Sequence, residues 1–465
     1  MRPQLGCYGH SRIKSPNIDK LASRGIRFDR AYCQQAVCAP TRASLLTGTR
    51  PDTTRVWDLQ TPLNTVRPDL LSIPHHFKNA GYETISLGKI YHHANEDPQG
   101  WSAAPWLPQS DWAGGWRGYR DPLSATVVKQ SDALLRAAYE RELKSGKKTA
   151  PPLYGRGPAF EGPDVPDSAY PDGMTCEKAI EELRRLKDKP FFLAAGFLKP
   201  HLPFNAPKKY WDLYSPVDLE LPARSEWPEN MPKVAGSDWG ELRAYTGIPK
   251  QGPVDETTMR KLIHGYYACV SYMDAQVGRV LAELDRLGLR DNTVVILWGD
   301  HGWKLGDYGA WCKHTNLEID THVPMLLSVP GQKNAGGATS ALVEYVDIYP
   351  TLAEACGLDV PKQCEGKSMM PLLDSPKRKW KAAAFSQFPR GGGMMGYTMR
   401  TERWRYTEWI LQKTGEVTAR ELYDHANSDV ASSNLADLPE QASRVKEFSA
   451  MLDKGRGWSK VRERV

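Results

Sequence analysis

Three short apolar runs that end at a glycine are the clearest pattern along the chain. They span residues 84–88, 191–196 and 294–299, and this length is typical of strands that are buried on both faces. Segments with apolar residues at helical spacing precede the second and third runs, at residues 176–186 and 259–287. The alternation of helix and buried strand predicts an α/β fold with a large, mostly parallel sheet flanked by helices.

Titratable side chains follow each of the three runs. They are Lys89 and His92 after the first run, Lys199 and His201 after the second, and Asp300 and His301 after the third. The carboxyl ends of parallel strands meet at one edge of a sheet, where ligands bind. A surface lysine or a hydrogen-bonded loop histidine explains any one of these positions, but their occurrence at three strand ends predicts a shared site.

The pattern of the chain changes after about residue 390. Alternating apolar and polar residues at 397–400, 404–410 and 421–423 predict short strands separated by turns, and a polar helix follows them. We therefore expect a large domain over residues 1–390 and a small C-terminal antiparallel α+β subdomain over residues 391–465.

The composition excludes several classes of protein. Of the 465 residues 40% are hydrophobic and 25% are charged, which is enough for a sizeable core, and no apolar run approaches the ~18 residues of a membrane span. The formal net charge of +6 is too dilute to predict nucleic-acid binding, although it suits an anionic substrate. The eight cysteines show no paired CxxC spacing, so they predict neither a disulfide scaffold nor a zinc site.

The sharpest motif is CAPTRASLLTG at residues 38–48. Pro40 suits the first turn of a helix and Gly48 its end, which places Cys38 at the N-terminus and Arg42 one turn further along the same face. Amide dipoles and a guanidinium would then converge on a bound anion. On a bare CxPxR match, a free cysteine that caps a short helix is the simpler interpretation.

The segment nevertheless resembles the complete signature of the type I, formylglycine-dependent sulfatases, which continues through Arg50-Pro51. Further motifs resemble the iduronate-type subgroup of that family and its bacterial relatives. These motifs are GKIYH at residues 88–92, LKPH at 198–201, WGDHGW at 298–303, WCK at 311–313, SQFPR at 386–390 and ELYD at 421–424. Many sulfatases have asparagine where His301 stands, and only one residue between the site lysine and histidine. The resemblance covers nearly the whole chain.

The resemblance implies an alkaline-phosphatase/sulfatase-like fold and the hydrolysis of sulfate esters. It implies that Cys38 is oxidised after translation to formylglycine, whose hydrate is the nucleophile and a metal ligand. A thiolate that attacked a sulfate ester would be trapped as a thiosulfonate, whereas the second hydroxyl of the hydrate expels sulfate and regenerates the aldehyde. Asp300 and His301 would complete the implied ligands of a hard divalent cation, Ca²⁺ with Mg²⁺ as the alternative.

The same resemblance implies a role for five further side chains. Arg42 would neutralise the charge of the aldehyde hydrate and of the metal side of the site. Lys89 and Lys313 would hold the sulfate oxygens, where charge develops as the ester bond breaks. His92 would orient or deprotonate the hydrate, and His201 would protonate the leaving alkoxide.

The start of the chain departs from the family pattern. Sulfatases open with an apolar strand that ends in two adjacent aspartates, both metal ligands, immediately before a segment like residues 2–9. The chain begins just after that place, which favours a start assigned too late or a shortened chain over a true metal-poor variant. With the residues present we expect weak binding of a hard cation and a gap in the centre of the sheet.

Four tryptophans follow the first strand, at positions 101, 106, 112 and 116. They suit stacking on sugar rings, and they equally suit pinning a long loop to the body. The leading hypothesis is hydrolysis of a sulfate ester on a saccharide, such as the 2-O-sulfate of a uronic acid at a chain end. A phosphonate or phosphate ester hydrolase of the same superfamily, and a non-catalytic carbohydrate-binding descendant with a defective metal site, are the alternatives.

The family resemblance also implies partners and a location. A formylglycine-generating or anaerobic maturation enzyme would have to modify Cys38, and a sulfated saccharide would be the substrate. We expect no nucleic-acid partner and no membrane span. A periplasmic or extracellular location follows from the resemblance alone, because the first residues of the chain, MRPQLG, do not form an apolar signal region.

Overall fold

The central sheet is built from short strands in the computed structural model, which describes residues 1–93, 96–108, 118–146 and 155–456. These strands are β1 (Ile26–Phe28), β2 (Glu83–Gly88), β3 (Phe191–Gly196), β4 (Val295–Trp298), β5 (Met325–Ser328) and β6 (Gly337–Thr339). The three strands predicted from the apolar runs are thus present as β2, β3 and β4. Their bounds lie within one residue of the predicted ones.

The pairing of these strands is mixed. β2 and β3 run parallel, from Glu83 opposite Phe191 to Gly88 opposite Gly196. In the other group the order is β6, β1, β5 and β4, with β6 parallel to β1. β5 departs from the parallel arrangement, because it runs antiparallel to both β1 and β4. The chain returns from β4 to β5 through short elements and no long crossover helix, which allows the antiparallel neighbour.

Helices cover this sheet on both sides. The longer ones are α1 (Pro16–Arg24), α2 (Cys38–Thr47), α3 (Ile73–Asn79), α4 (Pro122–Lys144), α5 (Pro171–Leu186), α6 (Glu256–Arg286), α7 (Ile348–Ala355) and α8 (Ala442–Arg456). Short helices span Pro51–Thr54, Leu63–Val66, Lys208–Trp211, Gly240–Arg243, Glu318–Thr321 and Met370–Asp374. Two-residue strands lie at Ala31–Tyr32, Phe160–Glu161, Phe204–Asn205, Lys304–Leu305, Trp311–Cys312, His322–Val323 and Val343–Glu344.

The core lies on both faces of the sheet. In β5, Leu326 packs with the buried face of α6, whereas Met325 and Leu327 pack with β1, α2 and α7. α6 begins at the N-cap Asp255, whose carboxylate accepts a hydrogen bond from the backbone N–H of Thr258. A strand with apolar residues on both faces therefore holds two helical layers together.

β3 and β4 are half-exposed along their whole length, although both are apolar. Within the described ranges, β3 pairs with β2 alone and β4 pairs with β5 alone. Each strand therefore keeps one edge without a strand partner in this part of the chain. The gap expected in the centre of the sheet, at the place of a missing strand, stays a prediction.

The C-terminal region contains a four-stranded antiparallel sheet. Its strands follow one another in order: β7 (Ala384–Arg390), β8 (Met394–Arg400), β9 (Trp404–Leu411) and β10 (Glu416–Asp424). Phe448 and Leu452 of α8 pack against it. The sheet begins on the N-terminal side of the boundary expected at residue 390, so the sheet itself does not divide there. The division into domains at this residue stays a prediction.

The tryptophans after β2 have two different positions. Trp101 is buried in the core beside α3, and Trp106 pairs with Leu87 along β2, so both hold the segment to the body. Trp112 and Trp116 lie outside the described residues. None of the helices in the described part of the chain combines the length and apolar character needed to cross a membrane.

Candidate active site

Cys38 is the first residue of α2 and lies at the bottom of the site, with only 3% of its surface exposed. Val37 before it is extended, and Gly48 ends the helix in the left-handed conformation with φ at 67°. The helix therefore begins and ends where Pro40 and Gly48 predict. Its N-terminal turn presents the side chain of residue 38 toward the loops that follow β2, β3 and β4.

Asp300 and His301 follow β4 and face Cys38. The Sγ of Cys38 lies 3.4 Å from Nε2 of His301, and one ligand atom from each of the three residues lies within 4.8 Å of the others. Nδ1 of His301 lies 2.9 Å from the carbonyl oxygen of Gly302, which fixes a proton on Nδ1. Nε2 is therefore directed toward Cys38.

Arg42 connects three segments of the site. Its Nε and Nη2 donate to Oδ2 of Asp300 at 3.2 and 3.0 Å. Its Nη1 donates to the carbonyl oxygens of Lys89 and Ile90 at 2.6 and 2.8 Å. The guanidinium thus holds the carboxylate of Asp300 and the backbone after β2 in one arrangement, one turn along α2 from Cys38.

Lys89 and His92 enter from the end of β2. Gly88 has φ of 67°, and the backbone N–H of Lys89 donates to the carbonyl oxygen of Gly196 at 2.9 Å. This turn sends the Lys89 side chain toward Cys38, and its Nζ lies 3.3 Å from Nδ1 of His92. The two residues spaced three apart therefore form one pair, of which Lys89 lies near residue 38.

His201 and Lys313 form the opposite wall together with Glu241. Nδ1 of His201 lies 2.7 Å from the carbonyl oxygen of Leu202, and Nε2 lies 3.0 Å from Oε1 of Glu241. Nζ of Lys313 lies 3.3 Å from Nε2 of His201 and 2.6 Å from Oε2 of Glu241. The ring of Trp303 supports this group, since Nζ of Lys313 lies 4.7 Å from its centroid.

Glu241 was not predicted from the sequence. It lies in the short helix Gly240–Arg243, within an irregular stretch that has no periodic pattern and no motif. Lys199, in contrast, was expected at the shared site from its place at a strand end, but it does not contribute to it. Its buried Nζ donates to the carbonyl oxygen of Pro203 at 2.6 Å and does not reach Cys38, so its role is structural.

The charges of the site shift the pKa values of its members. Burial and Asp300 raise the pKa of the Cys38 thiol, but Lys89 and His301 outweigh them and hold it well below its usual value. Burial also opposes ionisation of Asp300, yet His301 and Arg42 keep the pKa of this carboxyl well below its ordinary range. The site is thus built to hold negative charge at residue 38 and Asp300.

The opposite wall has the same kind of balance. Burial lowers the pKa of Lys313, but the carboxylate of Glu241, together with a smaller effect of Cys38, outweighs burial. The pKa of Lys313 is therefore raised above its ordinary value, and the side chain stays charged. Burial and the ammonium of Lys313 lower the pKa of His201 below its ordinary value, and Glu241 offsets them only in part. A fixed cation, a carboxylate and an imidazole therefore meet within hydrogen-bonding distance.

The donor set suits a divalent cation only in part. Asp300 offers one carboxylate, already bound by Arg42 through Oδ2, and His301 offers one imidazole nitrogen. Ca²⁺ takes six to eight oxygen ligands, whereas Mg²⁺ commonly keeps several waters. With residue 38 as a third donor, these residues fit a weakly held, partly hydrated ion. The amino group of Met1 also reaches this side, where it donates to the carbonyl oxygen of His301.

A second group of donors, Glu318, His322 and Asp429, lies outside this site. Arg400 and Arg405 both donate to Oε2 of Glu318, at 2.9 and 2.6 Å. Because the carboxylate is already neutralised by two guanidinium groups, this group is part of an ion-pair network.

The chain matches known proteins over most of its length. Residues 1–358 match the family described as Sulfatase, and residues 306–457 match the family described as N-sulphoglucosamine sulphohydrolase, C-terminal. Human iduronate 2-sulfatase is 33% identical over 508 aligned positions, which cover 91% of this chain and 87% of the human protein.

Solved structures have the same fold. One is a protein in complex with its substrate D-glucosamine-2-N,6-O-disulfate, with a TM-score of 0.75 and 22% identity over 99% of this chain and 96% of that chain. Another is a phosphonate monoester hydrolase from Silicibacter pomeroyi, with a TM-score of 0.73 and 22% identity over 98% of this chain and 93% of that chain.

Proposed function

Because the chain belongs to the sulfatase family, whose members hydrolyse sulfuric esters, we propose that it removes the 2-O-sulfate of an iduronate-type uronic acid. The chain is a sulfuric ester hydrolase that acts on sulfated saccharides. The finer substrate rests on the similarity to human iduronate 2-sulfatase and on the motifs at residues 88–92 and 298–303. We propose a periplasmic or extracellular location, where such polysaccharides occur.

One observation carries the proposal. Cys38 lies in contact with His301 and is surrounded by the cationic side chains of Lys89, Lys313 and Arg42, although these residues come from separate parts of the sequence. Fixed positive charge around a buried nucleophile is what transfer of an anionic sulfuryl group requires. Formylglycine at residue 38 supplies the nucleophilic hydroxyl, and a maturation enzyme, either formylglycine-generating or anaerobic, is the partner that installs it.

The proton transfers fall to the two histidines. His92, paired with Lys89, orients the hydroxyl of modified residue 38 or takes its proton. His201 gives its Nε2 proton to the ester oxygen as the sulfur–oxygen bond breaks, so the sugar leaves as an alcohol. Lys89 and Lys313 hold the sulfate oxygens throughout, and Arg42 keeps Asp300 in place.

The cation of the site is proposed to be Ca²⁺, with Mg²⁺ as the alternative. Asp300, His301 and modified residue 38 would hold it. When bound, it would polarise the sulfate and lower the pKa of the nucleophilic hydroxyl. The protein ligands among the described residues are few, so we expect the ion to bind weakly and to retain waters.

The first test is peptide mass spectrometry across Cys38 after co-expression with a maturation enzyme. We expect the thiol to be replaced by an aldehyde, and Cys38→Ala to abolish hydrolysis. In parallel assays on an aryl sulfate, an aryl phosphate and an aryl phosphonate, we expect the enzyme to hydrolyse the sulfate fastest.

Two outcomes contradict the proposal. A preference for the phosphate or phosphonate would favour the alternative hydrolase of the same superfamily, for which the fold likeness at 22% identity is not evidence of activity. An unmodified Cys38 that binds sulfated saccharide without turnover would favour a non-catalytic carbohydrate-binding protein.

A further inference from the structure

Glu241 brings a carboxylate into the site that none of the sequence motifs includes. Its side chain is only 15% exposed and lies between His201 and Lys313, with contacts of 3.0 and 2.6 Å. A buried carboxylate beside the groups that are proposed to handle an anionic substrate needs a physical reason. Its contacts indicate that the reason lies in the protonation of His201.

The proton positions on His201 follow from its two partners. Nδ1 lies 2.7 Å from the carbonyl oxygen of Leu202, an acceptor that carries no proton, so Nδ1 must donate. Nε2 lies 3.0 Å from Oε1 of Glu241, whose pKa stays well below its usual value because Lys313 and His201 outweigh its burial. An ionised carboxylate only accepts, so Nε2 donates to it when the ring is protonated. The doubly protonated imidazolium is the form that satisfies both contacts, although burial and Lys313 hold the net pKa of His201 below its ordinary value.

Other groups around His201 act in the opposite direction. Nζ of Lys313 lies 3.3 Å from Nε2, and without Glu241 it would donate to a neutral ring. Burial has the same effect, since it disfavours the charged form. Cys38 favours the charged form from a greater distance, and burial with Lys313 lowers the pKa of His314 to about 3, so His314 is neutral at working pH. Glu241 is therefore the contact that opposes Lys313.

We propose that Glu241 is a positioning residue that favours a proton on Nε2 of His201, so that a larger share of this histidine meets the leaving oxygen as an acid. The inference rests on the proposed function, in which His201 protonates the departing sugar. In that step the Nε2–H bond breaks as the new O–H bond forms, and the ring is left neutral, with the proton on Nδ1 still donated to the carbonyl oxygen of Leu202. Water then returns a proton to Nε2, and Glu241 remains ionised throughout.

The direct test observes His201 without turnover. We would label the full-length protein with ¹⁵N-histidine, assign His201 with the His201→Asn variant, and titrate both ring nitrogens. In the unsubstituted protein Nε2 should take up its proton with a midpoint below the ordinary histidine value, because burial and Lys313 outweigh Glu241. In Glu241→Gln the titration midpoint of His201 should fall by about one pH unit or more, because an opposite charge in contact is lost.

The matched control is Asp238→Asn, which removes an exposed carboxylate from the same loop and should leave the midpoint unchanged. Glu241→Asp retains the charge and should recover much of the shift. A His201 ring whose Nε2 takes up no proton on acidification of the unsubstituted protein would overturn the proposal, and this measurement stands even if a variant fails to fold. An unchanged midpoint in folded Glu241→Gln would also overturn it.

A second test uses the leaving group. A sugar alkoxide needs a proton as it departs, whereas 4-nitrophenolate hardly does, so general acid catalysis matters mainly for the sugar. Glu241→Gln should lower kcat on a saccharide sulfate at least ~10-fold more than on 4-nitrophenyl sulfate, and should move the alkaline limb of the pH profile to lower pH. Equal losses on both substrates with an unmoved limb would contradict the proposal. If the unsubstituted, matured enzyme hydrolyses neither ester, the proposed function fails while the ¹⁵N result stands on its own.

Discussion

At the scale of single residues, Arg390 shows how one side chain holds the site from a distance. Its Nε and Nη2 donate to the carbonyl oxygens of Val234, Gly236 and His314, at 2.8, 2.9 and 2.8 Å. The first two precede Glu241 in the chain, and His314 follows Lys313. A single guanidinium therefore ties together the two segments that carry the opposite wall of the site. Burial lowers its pKa to about 10, so it stays charged.

Arg390→Lys should separate these segments, because an ammonium has no fork that reaches several carbonyls in fixed directions. We expect kcat/KM on a saccharide sulfate to fall by about 10- to 100-fold, as small misplacements of catalytic groups do. The control is Arg403→Lys, which changes an exposed pair with Asp424 and should have wild-type kinetics. Equal kcat/KM values for the two variants would contradict this role.

How far the sequence predicts these residues depends on whether their signal is local. Cys38 and Arg42 lie one helical turn apart, so a short motif identifies them and their relative position. Arg390 belongs to a motif too, but its partners are backbone carbonyls more than 70 positions away, which no pattern near it reveals. Glu241 has no motif at all, and its role depends only on folding beside His201 and Lys313.

At the scale of elements, the close approach of β2 and β3 positions the Lys89 side of the site. Gly88 has φ of 67°, and a Cβ built on it would lie 2.3 Å from the carbonyl oxygen of Gly196. The same carbonyl accepts the backbone N–H of Lys89. Only glycine permits both the left-handed turn and this contact between the strand ends.

Gly88→Ala should therefore push the strand ends apart and displace Lys89 with the carbonyls that hold Arg42. We expect it to cost at least ~2 kcal/mol of unfolding free energy more than Gly81→Ala, since overpacking adds to the backbone strain. Gly81 is the matched control, because its φ of 89° is also left-handed and its Cβ would meet nothing within 4 Å. Urea unfolding of the two variants measures the difference, and equal costs would refute the argument.

The sequence pattern did not predict that β5 runs antiparallel to its neighbours. Continuous apolar runs indicate burial on both faces, and this holds for β5, whose residues enter two cores. Whether a buried strand runs parallel or antiparallel depends on its connections, and the segment between β4 and β5 is occupied by site loops. The residues of a strand indicate whether it is buried, but they do not indicate whether it runs parallel or antiparallel to its neighbours.

At the scale of the whole molecule, a buried ion-pair network joins the C-terminal sheet to the body. Glu318, in the body, accepts from Arg400 of β8 and Arg405 of β9, and Tyr32 donates to its other oxygen at 2.7 Å. All four side chains are buried. Burial opposes the charge of Glu318, but the two guanidinium groups keep its pKa well below the usual range.

Glu318→Gln leaves two buried guanidinium groups without their carboxylate and should cost ~3–5 kcal/mol of unfolding free energy. Because the pKa of Glu318 is depressed in the folded state, its stabilisation is complete above the unfolded value of about 4.3 and declines as the pH falls below it. The difference between wild type and variant should therefore shrink in acid. Glu416→Gln, at an exposed position of β10, should change stability by less than ~0.5 kcal/mol. Urea unfolding at neutral and acidic pH measures both, and a pH-independent difference would contradict the assignment.

The half-exposed strands β3 and β4 have a consequence for how the protein behaves in solution. Each presents a row of amide N–H and carbonyl groups, flanked by apolar side chains, along an edge that no described strand covers. Such rows are templates for misassembly between molecules, and they are the places where warming or crowding would first produce insoluble protein.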